Sequence, residues 1–264
     1  MNDRPLLTSL SNPLVKKIRS LKNHKARAQS GLFLAEGLHH VGSALEAGWD
    51  VDALLYAPDL LTGQFATSLL DNARRIGYGP QPVSAKVMKA LTEKDHPQGI
   101  LASVKQRQSG FSDLHEIQSG VALVSPQDPG NVGTILRTLD AVGADALFLL
   151  NGGVDLYHPT CVRASMGTLF WKLVIRTSFE EFSDWAKANG LRLIGTSAHA
   201  QMDYHEIRLD NLPWVLLLGS EQKGLSDEQI AACDLTVSMP MRGKVSSLNL
   251  SVAVGVLLYA FNNK

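Results

Sequence analysis

Apolar runs of four to six residues alternate along the chain with stretches of helical periodicity. Ser11-Asn12-Pro13 supplies a cap candidate and a proline for a first turn. Leu14, Ile18 and Leu21 follow at helical spacing, which predicts an amphipathic helix with Lys16, Lys17 and Arg19 towards solvent. A strand at 32–35, a helix at 38–47 ended by Gly48, a strand at 51–56 and a helix at 65–76 before Gly77 then describe a small α/β domain. The stretch 105–120, rich in Gln and Ser, reads as a crossing, which gives an N-terminal domain of 1–108 and a second of 109–264. Beyond it, apolar strands are expected at 121–125, 146–150, 173–176, 191–196, 214–218 and 235–238, with helical patterns between most of them. Buried strands alternating with helices imply a mainly parallel sheet covered on both faces, with ligand sites at the carboxyl ends of its strands.

Three loops follow such strands with an unusual mixture of glycine and polar residues. In the segment 125–145, Gly130 and Gly133 allow close backbone approach at a helix start, Asn131 is a candidate cap, and Arg137 presents a planar fork suited to phosphate. In 216–227, Gly219-Ser220-Glu221 opens a loop after a strongly apolar strand. In 239–261, Pro240 and Gly243 fix a turn, and Ser246, Ser247 and Asn249 lead into an almost wholly apolar helix. Such a helix needs covering on several sides, centrally or by a second subunit. Read singly, each loop is compatible with a capped helix or a solvated turn.

Charge adds a direction to this picture. Net charge is zero, but residues 1–108 hold 14 Lys and Arg against 9 Asp and Glu, an excess of five that the remainder cancels with 11 against 16. Seven of those cations (Arg4, Lys16, Lys17, Arg19, Lys22, Lys25 and Arg27) lie in the first thirty residues, so a polyanion is the expected partner of that end. Cys161 and Cys233 lack metal-ligand spacing, and His39, His40, His199 and His205 form no H-E-x-x-H set, so no metal is expected. His158 and Cys161 lack the third partner of a thiol nucleophile. The start has no signal-peptide pattern and no apolar run reaches bilayer length, which leads to the expectation of a cytoplasmic protein without a membrane partner. G-x-G-x-x-G and G-x-x-x-x-G-K-[ST] are missing, which argues against a nicotinamide-dependent oxidoreductase and a P-loop enzyme.

Taken together, the three loops resemble the signature motifs of the SpoU or TrmH-type RNA methyltransferases of the SPOUT superfamily. The matched positions are Asn131, Gly133, Arg137 and Gly143, then Gly219, Glu221 and Gly224, then Pro240, Met241, Gly243, Ser247, Leu248, Asn249 and Ser251. Arg163-Ala164-Ser165-Met166-Gly167 resembles a further family segment, whereas Met239 stands where a β-branched residue is commoner. The first 105 residues resemble more loosely an L30e-like RNA-binding extension. The resemblance implies a C-terminal α/β domain with a deep trefoil knot, against the general rule that chains are unknotted. It also implies a homodimer and bent S-adenosylmethionine held around Thr196, Ser197, Leu218, Gly219, Met239, Pro240, Met241, Ser247 and Leu248.

The implied activity is methyl transfer to a ribose 2′-hydroxyl of RNA, ribosomal ahead of transfer RNA given an N-terminal domain of this size. The alternatives are a non-catalytic RNA-binding or assembly protein that keeps the fold, and a methyltransferase acting on a base or protein. Because guanidinium groups hold their proton in proteins, Arg137 is assigned to the adjacent phosphate and to developing charge on oxygen, not to the role of base. Ser247 and Asn249 are expected to orient the ribose, Asn131 to fix loop geometry, and Glu221 to orient Arg137 or the third loop. RNA contacts are assigned to Lys16, Lys17, Arg19, Lys22, Arg27 and Arg163.

Overall fold

The computed structural model describes residues 4–92, 96–209 and 212–262. The elements in chain order are α1 (Pro13–Ser20), α2 (His24–Ser30), β1 (Leu32–Glu36), α3 (Leu38–Glu46), β2 (Val51–Tyr56), α4 (Gln64–Arg75), β3 (Gln81–Pro82), α5 (Ala85–Leu91) and β4 (Ile100–Lys105). There follow β5 (Ser119–Val124), α6 (Pro129–Val142), β6 (Ala146–Leu150), α7 (Pro159–Ala164), β7 (Leu173–Thr177), α8 (Phe179–Ala188) and β8 (Arg192–Thr196). The chain ends through β9 (Met202–Asp203), β10 (Trp214–Leu218), α9 (Asp227–Ala231), β11 (Leu235–Ser238) and α10 (Leu250–Asn262). It divides into two compact units, one of residues up to Arg107 together with Tyr157–Trp171, the other of Gln108–Leu156 and Lys172 onward. The expected domains ran continuously, so the excursion of 157–171 into the first unit is a correction.

In the first unit the sheet order is β1-β4-β2-β3, with β4 antiparallel to both of its neighbours. Asn12 caps α1 by accepting from the Leu14 N–H at 2.9 Å, and Pro13 occupies the first turn. Val15, Ile18 and Leu21 are thereby turned into a core with Leu55, Val87, Met88 and Leu101. Each such side chain contributes on the order of 1.5–3 kcal/mol on burial. The 157–171 segment joins this unit through an aromatic cluster: Phe33 lies 4.6 Å from Tyr157 and Trp49 lies 5.3 Å from Phe170, centroid to centroid. The indole N–H of Trp49 donates to the Phe170 carbonyl at 2.8 Å, and the Tyr157 hydroxyl donates to the Arg107 carbonyl at 2.6 Å.

In the second unit the strand order is β7-β6-β5-β10-β8-β11-β9, and every pairing is parallel. Strands β5, β6 and β10 are buried along their whole length, as strands covered by helices on both faces must be. The chain winds outward from β5 through β6 to β7, then crosses to β8 and the edge strand β9 on the other side of β5; β10 returns to lie between β5 and β8, and β11 fills the place between β8 and β9. That reversal makes the carboxyl ends of these strands the place for a ligand. On the side of α6, α10 packs closely, with Gly255 facing the Thr138 methyl.

Candidate active site

Helix α6 begins at Pro129, and its cap is Asp128, not Asn131 as the sequence suggested. The Asp128 carboxylate accepts from the N–H groups of Gly130 at 2.6 Å and Asn131 at 3.2 Å. An Asp-Pro pair satisfies both cap and first-turn preferences at once, which outcompetes the later asparagine. Asn131 is instead buried in the first turn. Its carboxamide oxygen accepts from the Asn249 side-chain N–H at 3.0 Å, and its own N–H points to a Glu221 carboxylate oxygen at a long 3.5 Å.

The third loop fixes the direction of this chain. Asn249 caps α10: its side-chain oxygen accepts from the Ser251 N–H at 2.9 Å, the Ser251 hydroxyl at 2.7 Å and the Val252 N–H at 3.4 Å. With that oxygen committed, the Asn249 amide can only donate to Asn131, whose remaining N–H then faces an acceptor carboxylate. The second loop is held by its glycines. It closes on itself through the Ser220–Gly224 bridge, and a Cβ at Gly219 would overlap the Gly224 backbone. Gly224 takes a left-handed φ of 67°, and the Lys223 N–H donates to the Ser220 hydroxyl at 3.3 Å.

A cleft of about 750 Å³ opens at the ends of β8, β10 and β11. Eight of the residues assigned to the cofactor line it: Thr196, Ser197, Leu218, Gly219, Met239, Met241, Ser247 and Leu248; Pro240 does not. Asn131, Glu221 and Asn249 line it as well. The cleft size lies within the range that encloses a nucleoside-sized ligand, and apolar Leu218, Val237, Met239 and Leu248 suit an adenine ring. Among the described residues no three His, Cys, Asp or Glu side chains form a metal cluster, and no helix is long and apolar enough to cross a membrane.

Not every expected position holds. Arg137 is exposed two turns along α6, outside the cleft lining, and has no hydrogen-bond or ion-pair partner among the described residues. Glu221 therefore meets Asn131, not Arg137. His199, Lys223 and Asp227 line the cleft without having been singled out for it. Lys223 and Asp227 lie within the second signature loop, and His199 follows closely on Thr196 and Ser197.

In the first unit Lys16 and Arg19 are exposed, but Lys17 forms an ion pair with Asp52 at 2.9 Å. The Lys22 ammonium donates to the Thr92 carbonyl at 2.8 Å and the Ala90 carbonyl at 3.3 Å. Arg27 is 1% exposed, and its guanidinium donates to the carbonyls of Leu21 at 2.8 Å and Lys22 at 2.9 Å. It holds the end of α1, so its assignment to RNA is corrected. Arg163 is half-buried and donates to the Thr160 hydroxyl at 3.3 Å.

Comparison with known proteins agrees with this architecture. The SpoU rRNA Methylase family matches residues 118–259, and the MRM3-like substrate binding domain matches residues 12–102. A 23S rRNA (uridine(2479)-2′-O)-methyltransferase of Streptomyces viridochromogenes is 34% identical, over 90% of this chain and 85% of that protein. The 23S rRNA (guanosine(2553)-2′-O)-methyltransferase RlmP of Bacillus subtilis is 28% identical over 96% of this chain and 97% of its own. The crystal structure of an AdoMet-bound rRNA methyltransferase from Sinorhizobium meliloti superimposes with a TM-score of 0.89 at 35% identity, covering 98% of this chain and 97% of that one. Sequence match, fold and the meeting of three signature loops agree: the chain belongs to the SpoU rRNA Methylase family.

Proposed function

We propose that this protein transfers a methyl group from S-adenosylmethionine to a ribose 2′-hydroxyl of ribosomal RNA. The observation that carries the reading is the Glu221–Asn131–Asn249 chain at the cleft, which joins one residue from each of the three loops. The 23S rRNA 2′-O specificity of both named relatives supports the choice of RNA and of the ribose oxygen.

Bound in the cleft, S-adenosylmethionine supplies an electrophilic methyl on a sulfonium. The protein's work is then to hold it, to place the ribose oxygen in line and to stabilise the charge that grows there. Leu218, Met239 and Leu248 form the apolar wall, with Thr196, Ser197, Gly219, Met241 and Ser247 supplying polar and backbone contacts and Pro240 bending the third loop. Asn131 keeps that loop against α6 by accepting from Asn249. Ser247 and Asn249 orient the ribose. The exposed Arg137 is free to take an RNA phosphate in its bidentate fork, a role a guanidinium performs without giving up its proton.

The reading includes a homodimer and a knotted catalytic domain, as in the family the loops resemble. On α10, Val252, Val256 and Tyr259 are exposed at helical spacing opposite the buried Leu250, Val254, Leu257 and Phe261. An apolar stripe of this kind suits an isologous contact. A ribosomal RNA substrate carries with it a cytoplasmic setting. Mapping 2′-O-methyl positions in RNA from cells with and without the gene tests the function: one ribosomal position should lose its methyl, and an unchanged map would overturn the reading.

A further inference from the structure

RNA approaching the cleft meets a unit of unfavourable overall charge. Arg163 belongs to the first unit, which raises that unit's excess from five to six positive charges and leaves the catalytic unit at six negative. A polyanion can dock there only if cations are gathered locally.

The described cations of the catalytic unit fall into two groups. Lys172 pairs with Asp140 at 3.4 Å, and Arg176, Arg192 and Arg208 donate to backbone carbonyls. Arg137, Lys187, Lys223, Arg242 and Lys244 make no side-chain hydrogen bond or ion pair among the described residues, although the charge of Arg242 reaches the Asp203 carboxylate and helps to keep it ionised. All of these but Lys187 lie on the three signature segments. Arg242 and Lys244 flank Gly243 on the loop after β11, where residues 242–249 are all exposed and a Cβ at Gly243 would meet open space. The same loop lines the cleft through Met239, Met241 and Ser246 to Leu250. A loop whose one part walls the cleft thus carries, on either side of Gly243, two exposed cations that make no hydrogen bond or ion pair. Surface cations that make no local bond keep their full reach for phosphate.

We infer that Arg242 and Lys244 hold backbone phosphates of the RNA beside the target nucleotide, so that the loop closing the cleft also positions the strand. This rests on the proposed methyl transfer to RNA. The guanidinium supplies a bidentate grip and the ammonium a point charge, neither selective for sequence. They are positioning residues, because nothing in their placement brings them to the reacting oxygen.

The test uses full-length protein and deproteinised ribosomal RNA from cells lacking the gene, with methyl transfer measured across a salt series. For Arg242→Gln/Lys244→Gln, the KM for RNA should rise about tenfold or more near 0.1 M salt. The slope of log kcat/KM against log salt should flatten by about 1 to 2, as expected for two lost phosphate contacts. At saturating RNA, kcat and the affinity for S-adenosylhomocysteine should stay within about twofold. The charge-conserving Arg242→Lys/Lys244→Arg variant should keep most of the RNA affinity, a rescue that a merely structural loop role would not show. Unchanged KM and slope in the glutamine variant, or equal losses in both variants, would overturn the inference. Wild-type protein that methylates no ribose in this RNA would instead overturn the functional reading, and that control is scored separately.

Discussion

Asn131 accepts with one end of its carboxamide and donates with the other, so alanine at this position breaks two links at once. Asn131→Ala should lower the single-turnover transfer rate about 10- to 100-fold while S-adenosylhomocysteine affinity, measured by calorimetry, changes less than about threefold. Loss of cofactor affinity to the same degree as rate would contradict the positioning role. Arg27 makes the opposite point about basic residues. Arg27→Ala strands buried carbonyls at the end of α1 and should cost about 1–3 kcal/mol in denaturant unfolding without altering the salt dependence of RNA binding. These two residues also mark what could be read at this scale. Asn131 stood out because polar and glycine residues follow an apolar strand directly. Arg27 looked like its basic neighbours, because the carbonyls that capture it lie where the chain ends a helix, a placement with no signature in residue type.

Helix α10 shows how an element carries information that no single residue does. Its buried and exposed faces are both apolar, which was legible from composition, whereas its cap required knowing which of Ser247 and Asn249 reaches the first N–H groups. Val252→Asp/Val256→Asp should give a monomer by sedimentation with little change in melting temperature, since both side chains are exposed in one protomer. A dimer that persists would remove this helix from the interface. Strand β4 was not anticipated although it is the strand on which the first sheet is organised. Ile100 to Val104 is a short, wholly buried run, and a run without alternation has no period to separate strand from helix. The strands of the second unit other than the two-residue β9 escaped this difficulty because they recur between helices, and the βα rhythm identified them.

At the scale of the molecule, composition suggested a crossing within 105–120, but it held no sign of the return of Tyr157–Trp171 to the first unit. That segment is separated from β6 by only the six residues 151–156, and its membership depends on aromatic contacts to residues more than a hundred positions away. Affinity and chemistry should separate along the same division. Lys16→Ala/Arg19→Ala should weaken ribosomal RNA binding and flatten its salt slope by up to about 2, with cofactor affinity unchanged; loss of cofactor with RNA binding intact would refute it. The central claim is met most directly by incubating the purified protein with methyl-labelled S-adenosylmethionine and ribosomal RNA from cells lacking the gene, then digesting with alkali. A 2′-O-methyl group protects its linkage, so label is expected in an alkali-resistant dinucleotide at one position. Label confined to mononucleotides, as from a methylated base, or no transfer at all, would contradict ribose methylation.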